Sequence, residues 1–151
     1  MTQSYDAIII GAGVVGTSIA FHLAERGLKP LIVERRTVAS GATGHSSGLV
    51  RMHYDLEVES RLAWQSFQYF HNWNERVGGE CGFRRTGFLH IEPADHETPL
   101  RKNVAMHQRI GIPTEVLSGN DVKKLAPYLK TDDIAFAAYE PESGYADPML
   151  T

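Results

Sequence analysis

Residues 5–34 read YDAIIIGAGVVGTSIAFHLAERGLKPLIVE. The run at 5–10 has the length and apolar content of a buried strand, and it ends abruptly at Gly11 and Gly13. Residues 14–27 continue with helical spacing. Val15, Ile19 and Leu23 share one face, and Gly27 falls where a helix C-cap belongs. The run at 30–34 is a second apolar strand. Two such strands joined by a helix predict a parallel βαβ unit with a right-handed crossover.

The turn between the first strand and the helix is Gly11-x-Gly13-x-x-Gly16. Gly11 permits the tight turn, Gly13 lets backbone approach a pyrophosphate, and Gly16 lets helix and strand pack closely. The helix N-terminus adds unpaired N–H groups and a partial positive charge, which suit phosphate. Glu34 closes the second strand, where its carboxylate can accept from both hydroxyls of a ribose. The same carboxylate would repel a 2′-phosphate, which disfavours NADP despite Arg35 and Arg36. Strand, glycine turn, helix and acidic residue together point to an adenine dinucleotide.

The next segment selects among dinucleotides. Residues 40–48 read SGATGHSSG, followed at once by LVRMHYD. Side chains this small build no core but leave backbone N–H groups and hydroxyls accessible. An NAD-type fold has no standing need for such a loop directly after the acidic residue. An extended FAD does, because a second stretch of bare main chain can follow the pyrophosphate and pass along the flavin ring.

Bulk composition narrows the alternatives. With 15 basic and 18 acidic residues the net charge is −3, and no basic block is long enough for a nucleic-acid surface. There is one cysteine, so no internal disulfide can form and a reducing compartment is the simpler home. No apolar run reaches the length of a membrane span. A cytoplasmic protein is expected.

Farther along, a helix is expected from about 56 to 77, with Ala63, Phe67, Phe70, Asn74 and Val77 on one face. A strand over 85–92 and a helix over 99–110 ending at Gly111 follow. SGND at 118–121 has the form of a helix start, and that helix should stop before Pro127. Residues 134–140 are a strand candidate. Asp147 and Pro148 pair as an N-cap and first-turn residue three positions before the last residue, and no third parallel strand follows the first two. The chain is therefore expected to be an N-terminal piece of a longer protein. No metal site is expected: His22, His71, His90 and His107 show no ligand spacing, and Cys81 has no cysteine to pair with a metal.

These segments resemble FAD-dependent oxidoreductases of the D-amino-acid-oxidase type, the group that includes glycine oxidase, sarcosine oxidase and dimethylglycine dehydrogenase. The resemblance rests on YDAIIIGAGVVGTSIAFHLAERG, LIVERR, SGATGHSSGLVR, RTGFLHI and ESGYADP, in the family's order. It implies an α/β fold in which a Rossmann-like FAD-binding βαβ unit is followed by the start of an α+β substrate domain. The implied boundaries are 1–83 for the first part of the FAD domain, 84–140 for the substrate domain and 141–151 for the return. By the same resemblance, Gly11, Gly13, Val14, Val15 and Gly16 hold the pyrophosphate, and Glu34 with Arg35 flanks the adenosine. Ala42, Thr43, Ser47, Gly48 and Leu49 contact FAD farther along. Arg51 and Tyr54 match an Arg-x-x-Tyr that faces the substrate, Arg51 clamping a carboxylate and Tyr54 walling the pocket. His45 is a candidate flavin contact or covalent attachment point.

The implied reaction is oxidation of the C–N bond of a small amino acid or N-methyl amino acid (glycine, sarcosine or dimethylglycine-like), with hydride passing to the flavin and the imine hydrolysing in water. Partner subunits or self-association are compatible with it. Two alternatives stay open at this point: a non-catalytic FAD-binding subunit of a hetero-oligomeric dehydrogenase, and an NAD-dependent dehydrogenase.

Overall fold

The structure, a computed structural model, describes residues 3–151, which form two compact units. The first runs up to Gly48 and takes in Glu80–Gly82 and Ala146–Thr151. The second comprises Leu49–Gly79 and Phe83–Tyr145. These units cross the boundaries expected at 83/84 and 140/141. The helix after residue 56 packs on the helix that starts at Glu97, so it joins the second unit.

The first unit is built on β1 (Ala7–Ile10), α1 (Val14–Glu25) and β2 (Pro30–Val33). The strands pair in parallel, from Ala7 opposite Pro30 to Ile10 opposite Val33. This is the predicted βαβ unit. Asp6 fastens its entrance, its carboxylate accepting from the Lys29 amide at 2.8 Å while its own amide donates to the Lys29 carbonyl at 3.0 Å. The α1 face read as apolar does not line a core: Ala20 is the buried residue of the helix, whereas Val15 and Ile19 are exposed. On β1, Ile8 and Ile10 are exposed too, Ile10 by 90%. A sheet of two strands has too little surface to cover these side chains.

In the second unit β3 (Leu49–Val50) leads to α2 (Glu57–His71) and the single turn α3 (Trp73–Arg76). Then come β4 (Arg84–Arg85), β5 (Phe88–Glu92), α4 (Glu97–Ile110), β6 (Glu115–Ser118), α5 (Gly119–Leu125), β7 (Phe136–Glu140) and β8 (Gly144–Tyr145). Two three-stranded antiparallel sheets result, ordered β5-β7-β6 and β3-β8-β4. Leu100 and Val104 of α4 bury against Ala138 of β7, flanked by Val116 and Phe136. A second cluster joins Met52, Phe67 and Ile112, with Val50, Trp64 and Phe83 around it.

The helix expected over 56–77 is interrupted. Asn72 leaves helical geometry at φ −122°, and its side-chain amide donates to the Gln68 carbonyl at 3.2 Å. An asparagine that bonds locally to backbone competes with the helical ladder, which explains the break. Other expectations hold closely. Gly111 caps α4 in the left-handed region, and α5 stops at Leu125, ahead of Pro127. At the other end Asp147 Oδ1 accepts from the Met149 amide at 2.8 Å, and its carbonyl accepts from Leu150 and Thr151, forming one turn.

Candidate functional site

In the first unit the glycine turn opens α1 from Gly13, an N-cap with no side chain to occupy the helix N-terminus. Gly16 lies so close to the carbonyl of Gly11 that a Cβ there would collide with it, and Ile9 stands behind. Helix and strand therefore touch through a hydrogen. Glu34 turns toward this loop: its Oε2 accepts from the Ala12 amide at 2.9 Å and its Oε1 from the Arg36 amide at 2.9 Å. Those N–H groups, Ala12 first and Arg36 next, hold the carboxyl below the usual range, with the amide and charge of Arg35 adding. The group is ionised and held beside the turn.

The small-residue segment folds back onto the same turn. Ala39, held at φ +58°, donates its amide to the Ala12 carbonyl at 2.9 Å. Thr43 Oγ1 accepts from the Val14 amide at 3.1 Å, capping α1 from 29 residues away. A Cβ on Gly13 would lie 3.0 Å from that same oxygen. Successive turns from Ser40 to Ser46 keep the segment compact, with Gly44 donating to the Ala39 carbonyl and His45 to that of Ala42. Gly48 has φ +67°, and a Cβ there would run into the Ala146 carbonyl. Of the residues assigned to FAD by resemblance, the fold gathers Gly11, Gly13, Val14, Gly16, Glu34 and Thr43. Ala42, His45 and Ser47 are exposed along the same bend, and Leu49 stands in β3, opposite Tyr145.

In the second unit Arg51 is partly buried. Its Nη1 donates to the His53 carbonyl at 2.7 Å, and its guanidinium lies 4.6 Å from the Tyr54 ring centroid and 5.5 Å from that of Phe88. Among the described residues it forms no ion pair, and its Nε and Nη2 make no hydrogen bond. Tyr54 thus presents its ring face to the guanidinium.

Behind this segment lies a cluster that sequence spacing did not reveal. His53, His107 and Glu140 are buried, and one ligand atom from each lies within 4.8 Å of the others. The His53 ring stacks on His90 at 4.5 Å and meets His107 edge-on at 4.6 Å. Burial pushes the His53 pKa down to about 3, with the charges of His107, His90 and Arg51 adding. His107 is also lowered by burial, against the opposing pull of its bond to the Tyr54 carbonyl. The three residues sit on a loop, a helix and a strand, and only the tertiary fold brings them together.

Residues 6–151 match the family described as FAD dependent oxidoreductase. The chain belongs to that family. FAD is its cofactor, and the NAD-dependent alternative is set aside. The two joined bends, with a glycine-rich helix start and an ionised carboxylate beside it, fit such a cofactor. Over 139 residues the chain is 30% identical to the mitochondrial pyruvate dehydrogenase phosphatase regulatory subunit of Mus musculus, covering 91% of this chain and 16% of that protein. It is 28% identical over 152 residues to glycine oxidase of Geobacillus kaustophilus, covering 95% of this chain and 40% of the enzyme. Among solved structures, L-proline dehydrogenase from P. horikoshii superposes with a TM-score of 0.89 at 27% identity, over 99% of this chain and 40% of that one. The chain thus spans well under half the length of these family relatives. Among the described residues no helix is long and apolar enough to cross a membrane.

Proposed function

We propose that the protein of which this chain forms part oxidises the C–N bond of a small amino acid or N-methyl amino acid, and that Arg51 holds the substrate's carboxylate. The observation that carries this reading is the state of Arg51: a guanidinium without an acidic partner among the described residues, braced by Tyr54 and Phe88. The Nε–Nη2 edge is the one left for a ligand, and a carboxylate matches its two parallel N–H groups. The relatives named glycine oxidase and L-proline dehydrogenase agree with an amino-acid substrate.

When bound, FAD accepts the hydride from the carbon beside the amine nitrogen. The chain's own part is to bind and orient. Gly11, Gly13, Val14, Val15 and Gly16 hold the pyrophosphate, and Glu34 beside Arg35 takes the ribose. Ala42, Thr43, Ser47, Gly48 and Leu49 line the remaining length of the cofactor, with His45 as a polar contact. Arg51 fixes one end of the substrate, so that orientation rather than a protein nucleophile lowers the barrier. Tyr54 fixes Arg51 in turn.

The test is Arg51→Ala in the full-length protein, assayed on an amino acid and on the corresponding uncharged amine. Turnover of the amino acid, as kcat/KM, should fall roughly 10- to 150-fold relative to the amine, the loss of hydrogen bonds to a charged group worth about 1.5–3 kcal/mol. Equal losses on both substrates would refute the clamp.

A second reading comes from the regulatory-subunit relative: a protein that binds FAD without turning over an amine. Anaerobic mixing of the full-length protein with amino acids and N-methyl amino acids separates the two. Bleaching of the flavin absorbance supports the oxidoreductase, and an unchanged spectrum across the panel supports the regulatory role.

A further inference from the structure

We propose that His53, His107 and Glu140 form a buried binding site for a divalent transition-metal ion, with zinc the best match to two imidazoles and one carboxylate. The proposal does not depend on the substrate reading above. It starts from hydrogen-bond accounting. His53 is 1% exposed, and neither His107 nor Glu140 has any exposure. Buried polar side-chain atoms are almost always paired, and each exception calls for an explanation. Here His53 Nδ1, His53 Nε2, His107 Nδ1 and Glu140 Oε1 all lack a hydrogen-bond partner among the described residues. These unpaired atoms belong to the three residues that converge within 4.8 Å.

The remaining atoms of the same groups are engaged, in the way that an outer shell fixes metal ligands. His107 Nε2 lies 2.9 Å from the Tyr54 carbonyl and 3.0 Å from Ser60 Oγ. A carbonyl can only accept, so the bond assigns the proton to Nε2 and leaves a lone pair on Nδ1. Glu140 Oε2 accepts from the Met52 amide at 3.0 Å and from Ser143 Oγ at 2.7 Å, which leaves Oε1 available. A histidine whose far nitrogen donates to a carbonyl, beside a carboxylate anchored through its other oxygen, is the usual second shell of a metal site.

The chain's own hydrogen bonds cannot account for the cluster. His107 Nδ1 and Glu140 Oε1 are both acceptors, and a neutral His53 brings one N–H. It can satisfy one of them at most. A doubly protonated His53 would serve both, but it would bury a second cation on the residue whose carbonyl already holds the Arg51 guanidinium. A dication meets all three ligands at once. Zinc takes imidazole nitrogen and carboxylate oxygen at about 2.0–2.2 Å, which puts tetrahedral ligand atoms roughly 3.4 Å apart, so atoms now within 4.8 Å need to draw together by up to roughly 1.5 Å. Two histidines and one carboxylate are a recurrent zinc set, with a solvent oxygen as the fourth ligand. The ion would pin loop, helix and strand together behind Tyr54.

The experiment uses full-length protein purified without a polyhistidine tag, stripped with EDTA and dialysed against Zn²⁺. Elemental analysis should find about one zinc per chain, and Co²⁺ in its place should give visible d–d absorbance. In His53→Gln and in Glu140→Gln, zinc affinity should fall at least ten-fold, while His96→Gln at an exposed position should leave it unchanged. X-ray absorption on the zinc-loaded wild type should report two imidazole ligands, a readout that needs no variant to fold. Wild-type protein that retains no zinc, or zinc retained equally by the His53 and Glu140 variants, overturns the proposal.

Discussion

Gly16 shows how much can rest on one hydrogen atom. Any β-carbon there meets the carbonyl of Gly11, which belongs to the turn's rigid backbone and has little room to yield. Gly16→Ala in the full-length protein is expected to weaken FAD binding at least ten-fold and to destabilise the first unit by about 1–3 kcal/mol, the usual range for overpacking. Titration of flavin fluorescence and denaturant unfolding read the two effects. Gly41→Ala supplies the contrast, because nothing lies within 4 Å of a Cβ at that position and its φ is ordinary. If both variants bind FAD like the wild type, the close-packing role of Gly16 is wrong. This role was legible in the sequence because turn, helix start and strand are neighbours along the chain. His53, His107 and Glu140 were not legible, because no local pattern links a loop, a helix and a strand up to 87 residues apart.

At the scale of single elements, the helices with local start and stop signals match their reading, and the one that fails does so at a side chain. In α5 Ser118 Oγ accepts from the Asp121 amide at 3.3 Å and donates to Asp121 Oδ2 at 2.6 Å. The Ser118 hydroxyl, and then Lys124, hold the Asp121 carboxyl below its usual range. A depressed carboxylate pKa favours the folded state above the unfolded value, and the gain disappears as pH falls through the folded value. Ser118→Ala is expected to cost about 1 kcal/mol near neutral pH, the typical value of an N-cap. It should also raise the Asp121 pKa toward that of a free carboxylate, visible in an NMR titration of its side-chain carbon. A melt and a titration both unchanged would remove the cap from the account. In α2 the apolar spacing continues past Asn72 although the helix does not. Periodicity reports which residues could share a face, whereas a side chain that bonds its own backbone decides where the ladder ends.

At the scale of the whole molecule, both apolar clusters lie in the second unit, whereas the family's cofactor is read almost entirely from the first. The contacts from Ala39 to Ala12 and from Thr43 to Val14 join two bends that the sequence places some thirty residues apart. Composition marked 40–48 as a second stretch of accessible main chain, but the bonds that tie it to the glycine turn appear only in the fold. The exposed Ile8, Ile10 and Val15 go with the missing third strand, since apolar spacing implies a covering layer and two strands do not supply one. Hydrogen exchange on the full-length protein, stripped of FAD and then reloaded, tests the joined bends directly. A ligand that binds only the folded state stabilises it by about 2.7 kcal/mol at a hundred times its dissociation constant. Amides that exchange by opening the cofactor site should therefore slow about 100-fold. The slowing should cover 11–16 and extend across 39–48, whereas α4, β6 and α5 should exchange at their former rates. Protection at 11–16 with 39–48 unchanged would leave a nucleotide held by the glycine turn alone, and the roles given to Ala42, Thr43, Ser47 and Gly48 would fall together. Protection spread evenly over both units would instead mean that FAD acts on global unfolding, and variants in 39–48 would then be needed to locate its contacts.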